Sequence, residues 1–434
     1  MAKALKAQHL TSIPGADDIL RAELANGITV LARHNPHSLS FTLRGYLQAG
    51  GIYEPDEKLG LADFVSSALM RGTEQRSFNE IYDRLESIGA SLGFNSGTHT
   101  VGFGGRALSE DLPVVLDLLS ETLRTPSFPD NEVEKLRAQL MTGLALRGQD
   151  TRDMASLVFD ELVYAGHPYG RAEEGHPETV GAITRADLQA FHAAHFGPRD
   201  MVLVIVGGLE PAQAIEAVRG ALEHWTNDQQ PPTAELPAWQ PLAEPAYKRH
   251  EIPGKSQSDL VIGSGGPRRL DPEYLPAMVG NNILGRFGLM GRIGDVVREE
   301  AGLAYYAYSG LGGGIGPGAW TVEAGVNPGN EEQATELILS ELQRFTDELV
   351  EESELSDSLS NIIGGMPLSL ESNGGVASAL LNIQRYGLDL DYYRHFPGLV
   401  AAVTREQIRE AAAKYLDQQR LAVAAAGPTR EVLA

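Results

Sequence analysis

At 434 residues, 42% of them hydrophobic, the chain is long enough for two or three domains whose cores need no covalent staples. It contains no cysteine, which excludes disulfides, thiolate nucleophiles, iron–sulfur clusters and cysteine-ligated zinc; any metal would have to rest on His, Asp and Glu. Its 35 Lys and Arg against 58 Asp and Glu give a net charge of −23 that repels phosphate backbones, and its cationic clusters are no larger than pairs such as Arg268 and Arg269, so nucleic acid is not an expected partner.

No apolar run approaches the ~20 residues of a membrane span, and the opening MAKALKAQHLTSIPGADD lacks the apolar stretch of a signal peptide. The expectation is a cytoplasmic protein with no membrane partner. In chain order, ITVLARHN (28–35) and SFTLRGYLQAG (40–50) predict strands by alternation and β-branched content. Helices follow near 61–71 and 78–88, the second with Phe78, Ile81, Leu85 and Ile88 at helical spacing. SLGFNSGTHTVGFGGRAL (91–108) predicts a strand pair, and three helices near 110–124, 130–148 and 153–163 come next. The prolines and polar residues of NDQQPPTAELPAWQPLAEPA (227–246) suit an extended linker. Beyond it the order repeats: a strand at 259–266, helices near 272–284 and 287–300, strands at 302–309 and 319–326, and a helix from Asn330. Ala334, Leu337, Ile338, Leu342, Phe345 and Leu349 form the apolar face of that helix. Acidic DELVEESELSD (347–357) reads as a solvated helix end and loop.

A shift of 220 residues lays ITRADLQAFHAAHFGPRDMVLVIVGG (183–208) on VTREQIREAAAKYLDQQRLAVAAAGP (403–428), matching Thr184 with Thr404, Arg185 with Arg405 and Gly207 with Gly427. Each copy predicts a Thr-capped helix followed by an apolar strand ending at Gly. A period this long implies two homologous domains, 1–226 and 247–434, joined by the linker 227–246. Strands and helices in clusters without strict βαβ alternation predict an α+β class, each domain a mostly antiparallel sheet with helices on one face. His192 and His195 lie three apart on the repeat helix, but the second copy carries Ala412 and Tyr415 there, which favours packing over metal binding. The glycine run from Gly310 to Gly318 fits no phosphate-loop template and predicts a hairpin loop.

The stretch GGIYEPDEKLGLADFVSSALMRGTEQRS (50–77) resembles the core motif of the insulinase (pitrilysin-type) metallopeptidase family. There a Gly-Leu-Ala opens a helix carrying the inverted zinc motif His-x-x-Glu-His, and a Lys- or Arg-Gly-Thr turn follows. The frame is kept and the chemistry is not: Asp63 stands at the first His position, Ser66 at the Glu and Ser67 at the second His. Carried on without gaps through 126–144, the resemblance puts the third ligand, a Glu, at Gly143 and its companion Glu at Leu136. One carboxylate and two hydroxyls make no zinc site, so no metal is expected on this chain. His167, in GHPYG (166–170), also matches the family, where it is not a ligand.

The segment ILGRFGLMGRIGDVVREEAGLAYYAYSG (283–310) resembles the family's non-zinc half, in which an Arg and a Tyr reach the zinc half and hold substrate. Arg298 and Tyr305 match that pair in spacing and in the Gly-Leu-Ala between them. The resemblance, from about residue 20 to 428, implies two domains facing across a cleft, and in the short-chain bacterial branch a dimer enclosing a peptide chamber. The expectation is the non-zinc subunit of a heterodimeric peptidase, inactive alone, with zinc on a homologous partner and Arg298 and Tyr305 binding peptide in trans. A self-dimer is the other arrangement. The alternative is a catalytically inert structural or peptide-binding homologue, like the non-catalytic core subunits of respiratory complexes. A hydrolase reusing Asp63, Ser66 or Ser67 finds no His placed by sequence to activate a Ser.

Overall fold

The computed structural model describes residues 13–429, so most of the opening stretch read for a leader lies outside the described residues. Among the described residues eleven strands form two sheets. The first holds β1 (Leu20–Glu23), β2 (Thr29–His34), β3 (Ser40–Leu47), β4 (Ser91–Ser96), β5 (Val101–Leu108) and β6 (Val202–Gly207), in the order β1-β2-β6-β3-β5-β4. The second holds β7 (Ala246–Glu251), β8 (Ser258–Gly265), β9 (Ala304–Leu311), β10 (Ala319–Val326) and β11 (Ala422–Gly427), in the order β7-β11-β8-β10-β9. Removing β1 makes the two orders identical. The pairing senses also agree: β2–β6 and β7–β11 are parallel, and every other ladder is antiparallel.

The 220-residue repeat is the clearest trace of this duplication. Thr184 and Thr404 each open a helix, Arg185–His195 and Arg405–Tyr415, with a capping box completed by Asp187 and Gln407. Each helix is followed by a central strand, β6 or β11. VLVIVG of β6 is buried at all six positions, as expected for a strand covered on both faces.

The molecule divides into two compact units. The first comprises the chain up to Leu144, Ala172–Glu235 and Pro367–His395; the second comprises Ala145–Arg171, Leu236–Met366 and Phe396 onward. The sequence division at 1–226 and 247–434 separates the two copies of the repeat, whereas the compact units cut across it. The reason lies in two helices. Thr151–Val163, from the first copy, buries Ala155, Val158, Phe159 and Val163 in one apolar cluster with Val261, Ala422, Ala424 and Ala426 of the second sheet. Asn373–Tyr386, from the second copy, buries Val376, Ala377, Leu380 and Ile383 and packs on β3 and β6 of the first sheet. The linker carries no helix or strand until Ala246 opens β7, yet it is pinned: Trp239 Nε1 donates to Val163 O at 2.8 Å.

Three local expectations shift. The helix expected over 61–71 ends at Ala68 and tightens into a single 3₁₀ turn, Leu69–Arg71. That expected over 287–300 begins only at Gly291, because Met290 adopts left-handed backbone (φ +80°), and it continues as a π-helical stretch, Gly294–Glu300. The strand expected over 302–309 runs from Ala304 to Leu311, since Gly302 (φ +64°) still belongs to the preceding turn.

Candidate functional site

The degenerate zinc motif sits on the helix Leu61–Ala68, entered through Gly60 in left-handed backbone (φ +91°). The buried Glu54 caps it, its carboxylate accepting from the N–H groups of Gly60 and Ala62. Asp63 is half-buried, and burial, reinforced by Glu174 and then Glu173, pushes its carboxyl up to about 6. The hydroxyl of Ser66 is 2.9 Å from the Asp63 carbonyl and donates to it, in a residue only 1% exposed. Ser67 is half-buried on the same helix. Gly143, on the helix Asp130–Arg147, is exposed with nothing within 4 Å of where a Cβ would stand, and Leu136 lies in the core of the first unit. A carboxylate that resists ionisation, a hydroxyl already spent on the backbone and a glycine do not fit a zinc ion. Among the described residues no group of three or more His, Asp or Glu is placed to hold a metal.

Arg298 and Tyr305 flank one turn. The Gly302 and Leu303 N–H groups close on Arg298 O and Val297 O at 3.1 and 3.0 Å, and the chain then enters β9, an edge strand. The Arg298 side chain is 36% exposed, with its nearest carboxylate, Glu299, at 3.6 Å. Tyr305 is 85% exposed and hydrogen-bonds to no described residue. The fold thus places both side chains beside one turn without bonding one to the other.

The next residues of β9 carry a constellation that sequence reading missed. Tyr306 donates to Asp259, which is 1% exposed, and Tyr308 donates to Glu323. Arg152, at the start of the helix Thr151–Val163, donates to the Tyr308 hydroxyl, pairs with Glu323 at 3.3 Å and lies 5.2 and 5.4 Å from the two ring centroids. Thr151 and Gln257 add two more donors to Asp259. Burial and the accepting carboxylates raise both phenols, Tyr308 to about 12. The alternation in AYYAYSG signalled two faces; nothing local signalled partners at 152, 259 and 323.

The remaining candidates are structural. His192 bonds Leu123 O through Nε2 at 2.9 Å and packs between Phe128 and Phe196, and burial lowers it to about 4. His195 packs against Tyr53 and Phe191. His167 is buried beside Tyr164 and Tyr169, whose hydroxyls meet Pro317 O and Gly316 N at 2.9 Å; the glycine run is the hairpin loop seated on these rings. A Cβ at Gly313 would stand 2.2 Å from the Tyr274 ring.

Comparison with known proteins places this geometry. Residues 29–163 match the model of the insulinase family, peptidase family M16, and residues 182–362 match that of the peptidase M16 inactive domain. An uncharacterized zinc protease of Streptomyces coelicolor is 23% identical over 98% of this chain and 92% of its own. Subunit 1 of the mitochondrial cytochrome b-c1 complex of Mus musculus is 27% identical over 65% of this chain and 58% of its own. The crystal structure of a peptidase M16 inactive domain from Pseudomonas fluorescens superposes with a TM-score of 0.88 at 25% identity, covering 95% of this chain and 98% of that one. With the duplicated sheets, the retained motif frame and the missing ligands, these matches lead to one conclusion: the chain belongs to the insulinase-like M16 peptidase family, as a member of inactive type.

Proposed function

We propose that this chain is the zinc-free subunit of a two-chain metallopeptidase, supplying Arg298 and Tyr305 to peptide bound at the zinc site of a homologous partner. The observation that carries the reading is Tyr305: an aromatic residue 85% exposed on an edge strand, while its neighbours Tyr306 and Tyr308 are bonded to carboxylates. A hydroxyl left in solvent at the start of a braced strand is suited to donate to a carbonyl oxygen that gains negative charge. The guanidinium of Arg298, loosely held by Glu299, is suited to peptide carbonyls or a carboxylate. The partner is a zinc-binding homologue, a second copy of this chain being the other arrangement. A cysteine-free composition suits a reducing, cytoplasmic compartment.

The test is steady-state cleavage of an unstructured peptide by the reconstituted pair. Tyr305→Phe keeps the ring and removes one donor, and turnover should fall on the order of 100-fold or more. Arg298→Ala should weaken substrate binding and turnover without dissociating the pair. A fall of less than about threefold for Tyr305→Phe would end the catalytic assignment. The similarity to a subunit of the cytochrome b-c1 complex favours a second reading, a purely structural role, under which the partner keeps near-normal activity with both changes.

A further inference from the structure

A pocket of about 320 Å³ opens in the second unit between the helix Tyr274–Gly285 and the Leu311 end of β9. Met278, Leu311 and Ile362 supply its apolar wall together with the ring of Tyr274, which is held by the Arg269 guanidinium 4.4 Å from its centroid. Three polar side chains line it, of which Asn282 is already engaged, donating to Asn361 Oδ1 and accepting from the Ser358 hydroxyl, both at 3.2 Å. Asn281 is 8% exposed and accepts from the Ser309 hydroxyl at 2.7 Å through Oδ1, while its amide nitrogen meets no described residue. Arg286 is exposed and has no carboxylate within ion-pair distance among the described residues.

Arg286 is one of several arginines without an ion pair among the described residues, Arg409 of the same unit being another, and it is the one that lines this pocket. Arg249, Arg268 and Arg292 of the same unit each hold a carboxylate. A net charge of −23 also disfavours loose attraction of anions, so an anion that settles here needs directed donors and apolar contact. The volume lies at the small end of ligand pockets, which run from about 300 to 1,000 Å³.

We infer that this pocket binds a carboxylate carried on an apolar body, the C-terminal residue of a peptide or a small free acid of the same chemistry. The Arg286 fork takes the carboxylate in a two-bond clasp, the Asn281 amide donates alongside it, and Met278, Leu311 and Ile362 enclose the aliphatic part. The site is separate from Arg298 and Tyr305 and needs no partner chain, so its failure and the failure of the peptidase reading are distinguishable.

The experiment uses the purified full chain alone. A fluorescently labelled, unstructured peptide ending in leucine is titrated with its C-terminus free and again amidated, and N-acetyl-leucine and its amide serve as competitors. The free acid should saturate and the amide should bind at least tenfold more weakly. Arg286→Gln should bring the acid down to the level of the amide and leave the amide unchanged, while Arg286→Lys restores part of the preference. Peptide acid binding more tightly than N-acetyl-leucine assigns the site to peptide termini; equal affinities assign it to small acids. Equal binding of acid and amide, absence of saturation, or a preference that survives Arg286→Gln would overturn the inference.

Discussion

Asp63 pays no metal debt: with no cation beside it, its carboxyl sits half-buried next to Glu174 and Glu173 and titrates near 6 instead of near 4. The sign follows from proton counting. Between about pH 4 and 6 the folded chain holds a proton that the unfolded chain has lost, so stability falls as pH rises through this window and stays reduced above it. Two pKa units correspond to a penalty on the order of 2–3 kcal/mol at pH 8. Asp63→Asn should therefore stabilise the protein at pH 8 by a sizeable part of that amount and by almost nothing at pH 4. Urea midpoints at the two pH values check this, and an equal effect at both would show that the side-chain amide acts through packing alone. His192 behaves in the opposite sense. Lowered to about 4, it contributes stability above its unfolded value that is lost as pH falls, which is why the comparison is made between variant and parent at each pH.

Edge strands fray unless something braces them, and β9 is braced from one face by Arg152, Asp259 and Glu323. Tyr306 and Tyr308, two residues apart, share that face, whereas Tyr305 stands where the β9–β10 register shifts by one residue and remains in solvent. Charge-assisted hydrogen bonds of this kind contribute about 1.5–3 kcal/mol when well buried; Arg152 is half exposed, which places its contribution nearer 1. Arg152→Ala should accordingly raise amide hydrogen exchange across Ala304–Leu311 by about fivefold, with the rest of the second sheet little changed. Unchanged protection on β9 would mean that the β10 ladder alone holds it. The alternating pattern of this strand is legible in AYYAYSG, whereas its brace comes from residues 15 to 156 positions away in sequence.

For the whole molecule the exchanged helices set the rule of assembly. A fragment 247–434 lacks Thr151–Val163 and leaves Val261, Ala422, Ala424 and Ala426 without their cover. A fragment 1–226 lacks Asn373–Tyr386, whose Val376, Leu380 and Ile383 are buried against the first sheet. Burial of a single such side chain contributes about 1.5–3 kcal/mol, and a net stability of 5–15 kcal/mol does not survive losing a whole helix face. Expressed separately, the two fragments should bind a hydrophobic dye and lack dispersed amide resonances; expressed together, they should recover both. A native-like spectrum from either fragment alone would show that each copy of the repeat folds independently.

The sequence by itself did not reveal the helices Pro211–Leu222, Glu352–Ser369 and Asn373–Tyr386, but it determined the duplication, most of the strands, the family frame and the loss of the zinc ligands. Each rests on a short-range signal: a threonine cap, an apolar period of two or about 3.6, or a motif whose spacing is set by one helical turn. That the resemblance puts Gly143 at the third ligand position and Leu136 at its companion can be read without coordinates. Only tertiary structure decided which sheet each helix covers, which carboxylates receive the hydroxyls of Tyr306 and Tyr308, and that Arg286 lines a pocket without an ion-pair partner among the described residues. Those outcomes are pairings between distant residues. A helix's apolar face specifies that it must be buried and not against what, and a charged side chain reads the same in sequence whether or not an opposite charge comes to meet it.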